Sequence, residues 1–516
     1  MRLIVANRLS GGRSRREKRE AVDRVAGTLS ANTNILRDSK PAAEEKRRVL
    51  VVEADTADVA RLADELGGDV LIEPEMPRYS AESVCLAVDA IVEAQGSLPP
   101  SAGLGQKLEF RVLGDGKGIV GARVMFILSP LSGVGSGTRV ETETDKDGKL
   151  SLIYDPARFW PTMMAIEPAN SYWTALLPPP TQGGDLPLGA LPKTGPDAWW
   201  RQLVQLYGYD EDAGKGIKIG VVDTGLGPHP YLKHAKGLGA ITLSGDQRTA
   251  KATQDTRGHG THVAGLIGAR PVKGSGDYAG IAPGADLGAV RVFDAEGGAH
   301  QGDIAEAIDA LSIDFEADLI NLSLGASEPS MIERDAVVAA LENGALCVAS
   351  AGNDRGAPLS FPAGYPETIA VSALGLYGAA PEGTMASASV PQSPYAFASA
   401  APGLFAANFS NVGPGLTCSA PGVGIISTVP ATGAVPAPYG IKNGTSMAAP
   451  IATAALATVL AQDPVYRDAP RGPDRATRAT QVLFAMLRNI GLSQPVGGYG
   501  LATGLNRPPE PPVNGT

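Results

Sequence analysis

The chain has 516 residues, 43% of them hydrophobic and 19% charged, a globular balance on a length that calls for two or three domains rather than one core. A net charge of −10 argues against a general nucleic-acid binder. That charge is uneven, since residues 1–48 hold 13 Lys and Arg against 6 Asp and Glu, leaving about −17 for the remainder.

The first element is a strand at "RLIVAN", followed by a charged amphipathic helix over about residues 15–29. The run "GGRSRREKRE" leading into it has mixed signs, which fit a solvated helix face better than a nucleic-acid arm. Strands at "TNILRD", "RRVLVVEAD" and "DVLIEP" follow, the last two separated by a helix at "TADVARLADELG". The order βαββαβ is the split βαβ, or ferredoxin-like, α+β arrangement; residues 1–96 are its expected extent, and alone it names no function. The Pro/Gly-rich "QGSLPPSAGLG" (95–105) reads as a linker. Beyond it, "KLEFRVLGDG", "ARVMFILS", "TRVETETD" and "KLSLIYD" alternate apolar and polar residues around turns, so residues 100–178 are read as a small Ig-like β-sandwich. "DKDG" (145–148) opens like a calcium loop, but Pro156 stands at its twelfth position, and a turn is the better reading. A second Pro/Gly linker is expected over 179–197.

Across 198–505 the pattern changes to strands alternating with helices. "IKIGVVDT", "DLGAVRVF", "DLINLSLG", "ALCVASAG" and "TIAVSAL" are β-rich apolar runs; "THVAGLIGA", "GDIAEAIDALSI" and "SMIERDAVVAALEN" are helical. Near-continuous apolar strands between helices mean a doubly wound, mostly parallel α/β sheet covered on both faces. In such sheets reactive groups gather at the strand carboxyl ends. The polar, Pro-rich tail 506–516 is expected to be disordered. Cys85, Cys347 and Cys418 lie far apart without metal-ligand spacing, and the last two sit in strand-like runs as buried thiols. "MRLIVAN" is too short an apolar run for a signal peptide, and no apolar stretch is long enough to span a bilayer. With Met1 as the natural start, a soluble cytoplasmic protein is expected, with neither nucleic acid nor membrane as partner.

Four positions carry chemistry. Asp223 ends a strand in "GVVDTGLG", where a lone Asp before Thr-Gly ordinarily caps a turn. His259 in "TRGHGTHVAG" is flanked by Gly258 and Gly260, which suits a ring approaching another molecule better than a core histidine. His262, one helical turn on, reads as packed structure. Asn353 in "VASAGND" closes an Asx turn or donates to an oxyanion. Ser446 in "IKNGTSMAAPIATAAL" is a helix cap or a nucleophile, with small neighbours and a helix start beside it.

Together these residues supply carboxylate, base, oxyanion donor and nucleophile in the order Asp, His, Asn, Ser. With "VVDTG", "GHGTHVAG", "GIAPGADL", "INLSLG", "ASAGN", "FSNVGP", "SAPG" and "NGTSMAAP", spread over about 217–461, the chain resembles the subtilisin-like serine proteases. The resemblance implies a triad of Asp223, His259 and Ser446, with Asn353 and the Ser446 N–H as oxyanion hole, in an endopeptidase acting on protein or peptide. It implies substrate-binding strands at Ser323, Leu324 and Gly325 and at Ala349, Ser350 and Gly352. Leu324 and the small residues around Asn353 suggest an apolar primary pocket, without an acidic signature for basic residues, and cleavage after large apolar residues is expected. No cofactor is expected in the chemistry. Structural calcium is left unassigned, Asp277 in "ARPVKGSGDYAG" being the nearest candidate.

Residues 1–96 resemble the family's inhibitory propeptide, whose closing strand matches "DVLIEPEMPRYS". The expected consequences are an intramolecular inhibitor and self-cleavage after Tyr79 with its ring in the apolar pocket, within 176–198, or not at all. An extra segment, 376–406, departs from the family, and it and the sandwich are candidate sites for a protein partner. Two alternatives stand beside the endopeptidase: a dedicated processing protease for one partner, and a pseudoprotease used as a binding scaffold.

Overall fold

The computed structural model describes residues 2–504 except 12–13, 30–33, 42–45, 55–66, 81–104, 133–136, 179–180, 194, 243–244, 248, 256, 295–297, 392–400 and 432–434. The expected helix at "TADVARLADELG", Cys85, most of the first linker and the tail lie outside the described residues.

The N-terminal strands β1 (Arg2–Asn7), β2 (Asn34–Asp38), β3 (Val49–Glu53) and β4 (Val70–Pro74) form one antiparallel sheet in the order β2-β3-β1-β4. Its central strands β1 and β3 read as continuous apolar runs because both of their faces are buried. Leu3, Val5, Leu50 and Val52 pack on Ala21, Val22 and Val25 of helix α1 (Arg15–Leu29). The alternate residues Ile4, Ala6, Val49 and Val51 face the other way, into a core shared with two helices of the C-terminal unit. A short strand, β5 (Pro77–Ser80), follows.

The middle unit has two sheets around Leu108, Phe110, Phe126, Leu152 and Ile166. One of them corrects the expected domain boundary. Residues 179–197 are not a free linker: Gly184–Leu188 is an edge strand parallel to Gln106–Gly114. An edge tolerates Pro187, whose missing N–H is not needed there. The chain beyond is fastened too, by the Leu191 N–H to the Ser171 carbonyl at 2.8 Å and by the Tyr278 hydroxyl donating to the Pro192 carbonyl. The "DKDG" segment is a turn in which Asp145 Oδ1 accepts from the N–H groups of Lys149 (2.8 Å) and Asp147 (2.9 Å). Those backbone bonds hold its carboxyl below the usual range.

The C-terminal unit is built on seven parallel strands, in the spatial order Lys236–Thr242, Asp286–Arg291, Lys218–Asp223, Leu319–Leu322, Leu346–Ser350, Ile369–Leu376 and Cys418–Pro421. Alternate residues point to opposite faces. Ile219, Leu319 and Val348 meet helices α2 (His259–Gly268) and α5 (Thr445–Leu460). Val222, Ile320 and Cys347 meet α3 (Gln301–Asp309) and α4 (Met331–Glu342). This is the doubly wound α/β sheet that the sequence predicts. No helix among the described residues is long and apolar enough to cross a membrane.

The extra segment has a structural partner within the chain. Its described part docks on the middle unit, with Met385 among Met125, Ile127 and Ala165, and the Leu176 N–H on the Gly383 carbonyl at 2.7 Å. Met385→Asp should therefore strand a carboxylate in an apolar contact at a cost of several kcal/mol, on the order of 3. Hydrogen exchange should rise across Arg123–Pro130 and Phe159–Glu167 while the parallel sheet stays protected.

Candidate active site

Asp223 is the last residue of its strand, and Ser323 directly follows the neighbouring one, where Val222 pairs with Leu322. The carboxyl ends of two adjacent central strands thus carry the first members of the site. Asp223 Oδ1 accepts from the Thr224 N–H at 2.6 Å and lies 2.7 Å from His259 Nδ1, with both side chains buried. A carboxylate on Nδ1 places the proton there and leaves Nε2 as the basic nitrogen.

The glycines beside His259 serve the chain's own packing rather than an incoming molecule. Gly258 caps α2 in the left-handed conformation at φ +81°. A Cβ on Gly260 would stand 2.1 Å from the Gly225 carbonyl oxygen. His262 is structural, as expected, with Nε2 3.1 Å from the Ile425 carbonyl and 3.2 Å from that of Gly440.

Ser446 is the second residue of α5, whose N-cap is Gly444 without any side-chain cap bond. It is not the helix cap. Its N–H belongs to the first turn, which has no carbonyl partner inside the helix and carries the positive end of the dipole. Ser446 Oγ donates to the Ser323 carbonyl (3.2 Å), while Ser323 Oγ donates to the Ser446 carbonyl (2.9 Å). Asn353 Oδ1 accepts from both the N–H and hydroxyl of Thr445, each at 2.9 Å. With its oxygen facing Thr445, the NH₂ is the donor side of this amide.

The remaining substrate-binding candidates divide. Gly325 and the Leu324 backbone form a short strand that pairs antiparallel with β5, Leu324 to Ser80 and Gly325 to Tyr79. On the other side β5 pairs with Ala299–His300, Arg78 to Ala299 and Pro77 to His300. The Leu324 side chain is buried in the core, as is Ala349, and Ser350 sits within its strand. Gly352 has φ +106°, and a Cβ there would lie 2.3 Å from Asn411 Nδ2.

The register bears on the expected self-cleavage after Tyr79. Tyr79 is 58% exposed and opposite Gly325, so its ring occupies no apolar pocket. A peptide following this register sets its next residue, after the one at Ser80, opposite Ser323, whose carbonyl accepts from the Ser446 hydroxyl. In that register Tyr79 stands two residues before the position opposite Ser323.

A subtilase-family sequence model matches residues 214–482, more than half of the chain. The chain belongs to the subtilase family. It is 36% identical over 252 residues to the minor extracellular protease Epr of Bacillus subtilis, a match covering 49% of this chain and 33% of that protein. It is 33% identical over 303 residues to the alkaline protease of Alkalihalobacillus alcalophilus, covering 59% of this chain and 67% of the relative. The major intracellular serine protease of Bacillus subtilis is 33% identical over 282 residues, with 53% and 75% covered. The chain is accordingly a subtilisin-like serine endopeptidase by family. Relatives named extracellular and intracellular both match, and the cytoplasmic expectation draws no support from them.

The sequence reading missed several positioning residues of this subtilase. Asp255 gathers the loop before α2: Oδ1 accepts from the Thr224 hydroxyl and the Gly258 N–H, both at 2.8 Å, and Oδ2 from the Thr261 N–H and hydroxyl. Its signal was an Asp four residues ahead of a helix start, in "QDTRGHG". Asn411, inside the quoted "FSNVGP", holds the Asn353 loop through Asp354, Pro358 and Ser360. Asp277, the nearest calcium candidate in the sequence, accepts a hydrogen bond from the Tyr231 hydroxyl. Among the described residues no group of three His, Cys, Asp or Glu could hold a metal ion. Asp255→Ala should lower kcat by about a hundred-fold through displacement of His259, with KM little changed and the fold retained by circular dichroism.

Proposed function

We propose that the chain hydrolyses peptide bonds through an acyl-enzyme, and the observation that carries this reading is the 2.7 Å Asp223–His259 pair beside Ser446 at the carboxyl edge of the sheet. Ser446 Oγ attacks the scissile carbonyl carbon while His259 Nε2 takes its proton. Asp223 holds the ring by Nδ1 and stabilises the imidazolium. The oxyanion is received by the Ser446 N–H and the Asn353 NH₂. The proton then passes from Nε2 to the leaving amine, and water repeats the cycle on the ester. Metal plays no part in these steps, and a preference for large apolar residues at the scissile bond is part of the reading.

Residues 1–80 are an inhibitor within the chain, a ferredoxin-like propeptide domain. Support comes from β5 lying in the cleft as a third strand between Ala299–His300 and Leu324–Gly325, the way an extended substrate would bind. The register supports self-cleavage after residue 81 in place of Tyr79. The 176–198 alternative is disfavoured by the hydrogen bonds that hold that segment in place. A dedicated processing protease is the second reading. It is favoured by a cleft of about 420 Å³ between the middle unit (Arg123, Glu167, Asn170), taken as a β-sandwich, and the loops next to the site (Arg257, Gly258, Asn443).

Intact-mass analysis should find wild type split near residue 81 and Ser446→Ala whole; two whole chains would refute self-cleavage. A fluorophosphonate should label wild type and not Ser446→Ala once the N-terminal segment is removed. Asn353→Ala should lower kcat by about 10²–10³-fold, the effect of losing such a donor in a subtilisin, with KM nearly unchanged.

A further inference from the structure

The residue that β5 presents opposite Ala299 is an arginine with no exposure. Arg78 Nη2 and Nε both reach Glu333 Oε2, at 2.8 and 3.2 Å, and the Glu333 side chain is equally buried. Glu333 stands in the first turn of α4, where the helix dipole favours a negative charge. The Tyr365 hydroxyl lies 3.2 Å from the same oxygen, and burial, then the neighbouring carboxylate, push its phenol far up, so it stays a donor. Glu333 Oε1 is buried without a hydrogen-bond partner among the described residues.

The pair faces the substrate path. In the register of β5, counting back from the position opposite Ser323, Ser80 is second, Tyr79 third and Arg78 fourth. We infer that Glu333 makes the fourth subsite upstream of the scissile bond selective for arginine, so that protein substrates carrying arginine there are preferred. The inference rests on the serine-protease reading above and adds its substrate class. Once β5 leaves, Glu333 is a carboxylate without its cation at the wall of the cleft. An apolar side chain in that subsite would leave it buried and unpaired, whereas a guanidinium restores the pair. Two nitrogens on one oxygen favour arginine over the single ammonium of lysine. The apolar preference concerns a different subsite and is untouched.

The test uses the full chain carrying Arg78→Met. Hydrogen exchange over residues 77–80 reads occupancy of the cleft without catalysis. Cleavage of two fluorogenic peptides, matched except for arginine or norleucine at the fourth position, reads selectivity. Exchange should quicken at least about ten-fold, and kcat/KM should favour the arginine peptide by at least about ten-fold, the scale of one charge-assisted hydrogen bond. Adding Glu333→Met should reverse that preference, and Glu333→Gln serves should the methionine variant fail to fold. Unchanged exchange, or equal kcat/KM for the two peptides, overturns the subsite. Faster exchange in a chain that cuts neither peptide upholds the cation site and overturns the protease reading instead.

Discussion

Two short strands, Ala299–His300 and Leu324–Gly325, face each other across a gap one strand wide. Each carries backbone donors and acceptors that need a partner, and an open strand edge invites any extended chain. The rest of the molecule is organised by what fills that gap. In the proposed mechanism hydrolysis needs the gap free for a substrate, and here Pro77–Ser80 of the chain's own N-terminal region pair within it. Selectivity then depends on the side chains that an occupant can present on each side.

The uneven charge of the sequence has its counterpart at this interface. The basic N-terminal region meets an acidic surface made by α3 and α4. Arg47, without exposure, reaches Asp309 at 2.8 Å and Asp335 at 2.9 Å, and Arg37 contacts Asp303 and Glu306. Capping runs across the boundary in both directions: Glu73 accepts from the Ser330 hydroxyl and the Met331 N–H at the start of α4, and Asp335 accepts from the Leu9 N–H at 2.7 Å. Ion pairs buried to this degree add little over an apolar contact while intact, yet breaking one partner costs about 3–5 kcal/mol. They therefore specify one docking geometry and penalise every other. The apolar face of Ile4, Ala6, Val49 and Val51 supplies the adhesion.

The candidate site was legible because the proposed chemistry demands fixed residue types in short runs, and the motifs around Asp223, His259, Asn353 and Ser446 carry them. The parallel sheet was legible from its apolar runs for the same reason, a fixed period. What escaped the sequence is long-range. Glu333 reads as one more acid on an amphipathic helix until Arg78 is laid beside it, 255 residues away in the chain. The strand at Gly184–Leu188 reads as a linker because its glycines and prolines obey turn statistics, and only pairing with Gln106–Gly114 makes it a strand. Asp255 was hidden by its ordinary look, a turn-former among turn-formers.

The docking of Met385 on the middle unit bears on the inventory of pieces left by any cut in the cleft. The middle unit precedes the catalytic sheet in the chain and is also packed against it, so a cut just beyond β5 separates only the N-terminal sheet. The free enzyme would begin with the middle unit, held by its covalent connection, by the Met385 contact and by hydrogen bonds such as those of Leu176 to Gly383 and Ser171 to Tyr439, and this unit would form a permanent wall on one side of the cleft. Substrates would then meet a site bounded by two different surfaces: an acidic helix on the side of Glu333, and on the other a module that cannot be shed without cutting the chain again.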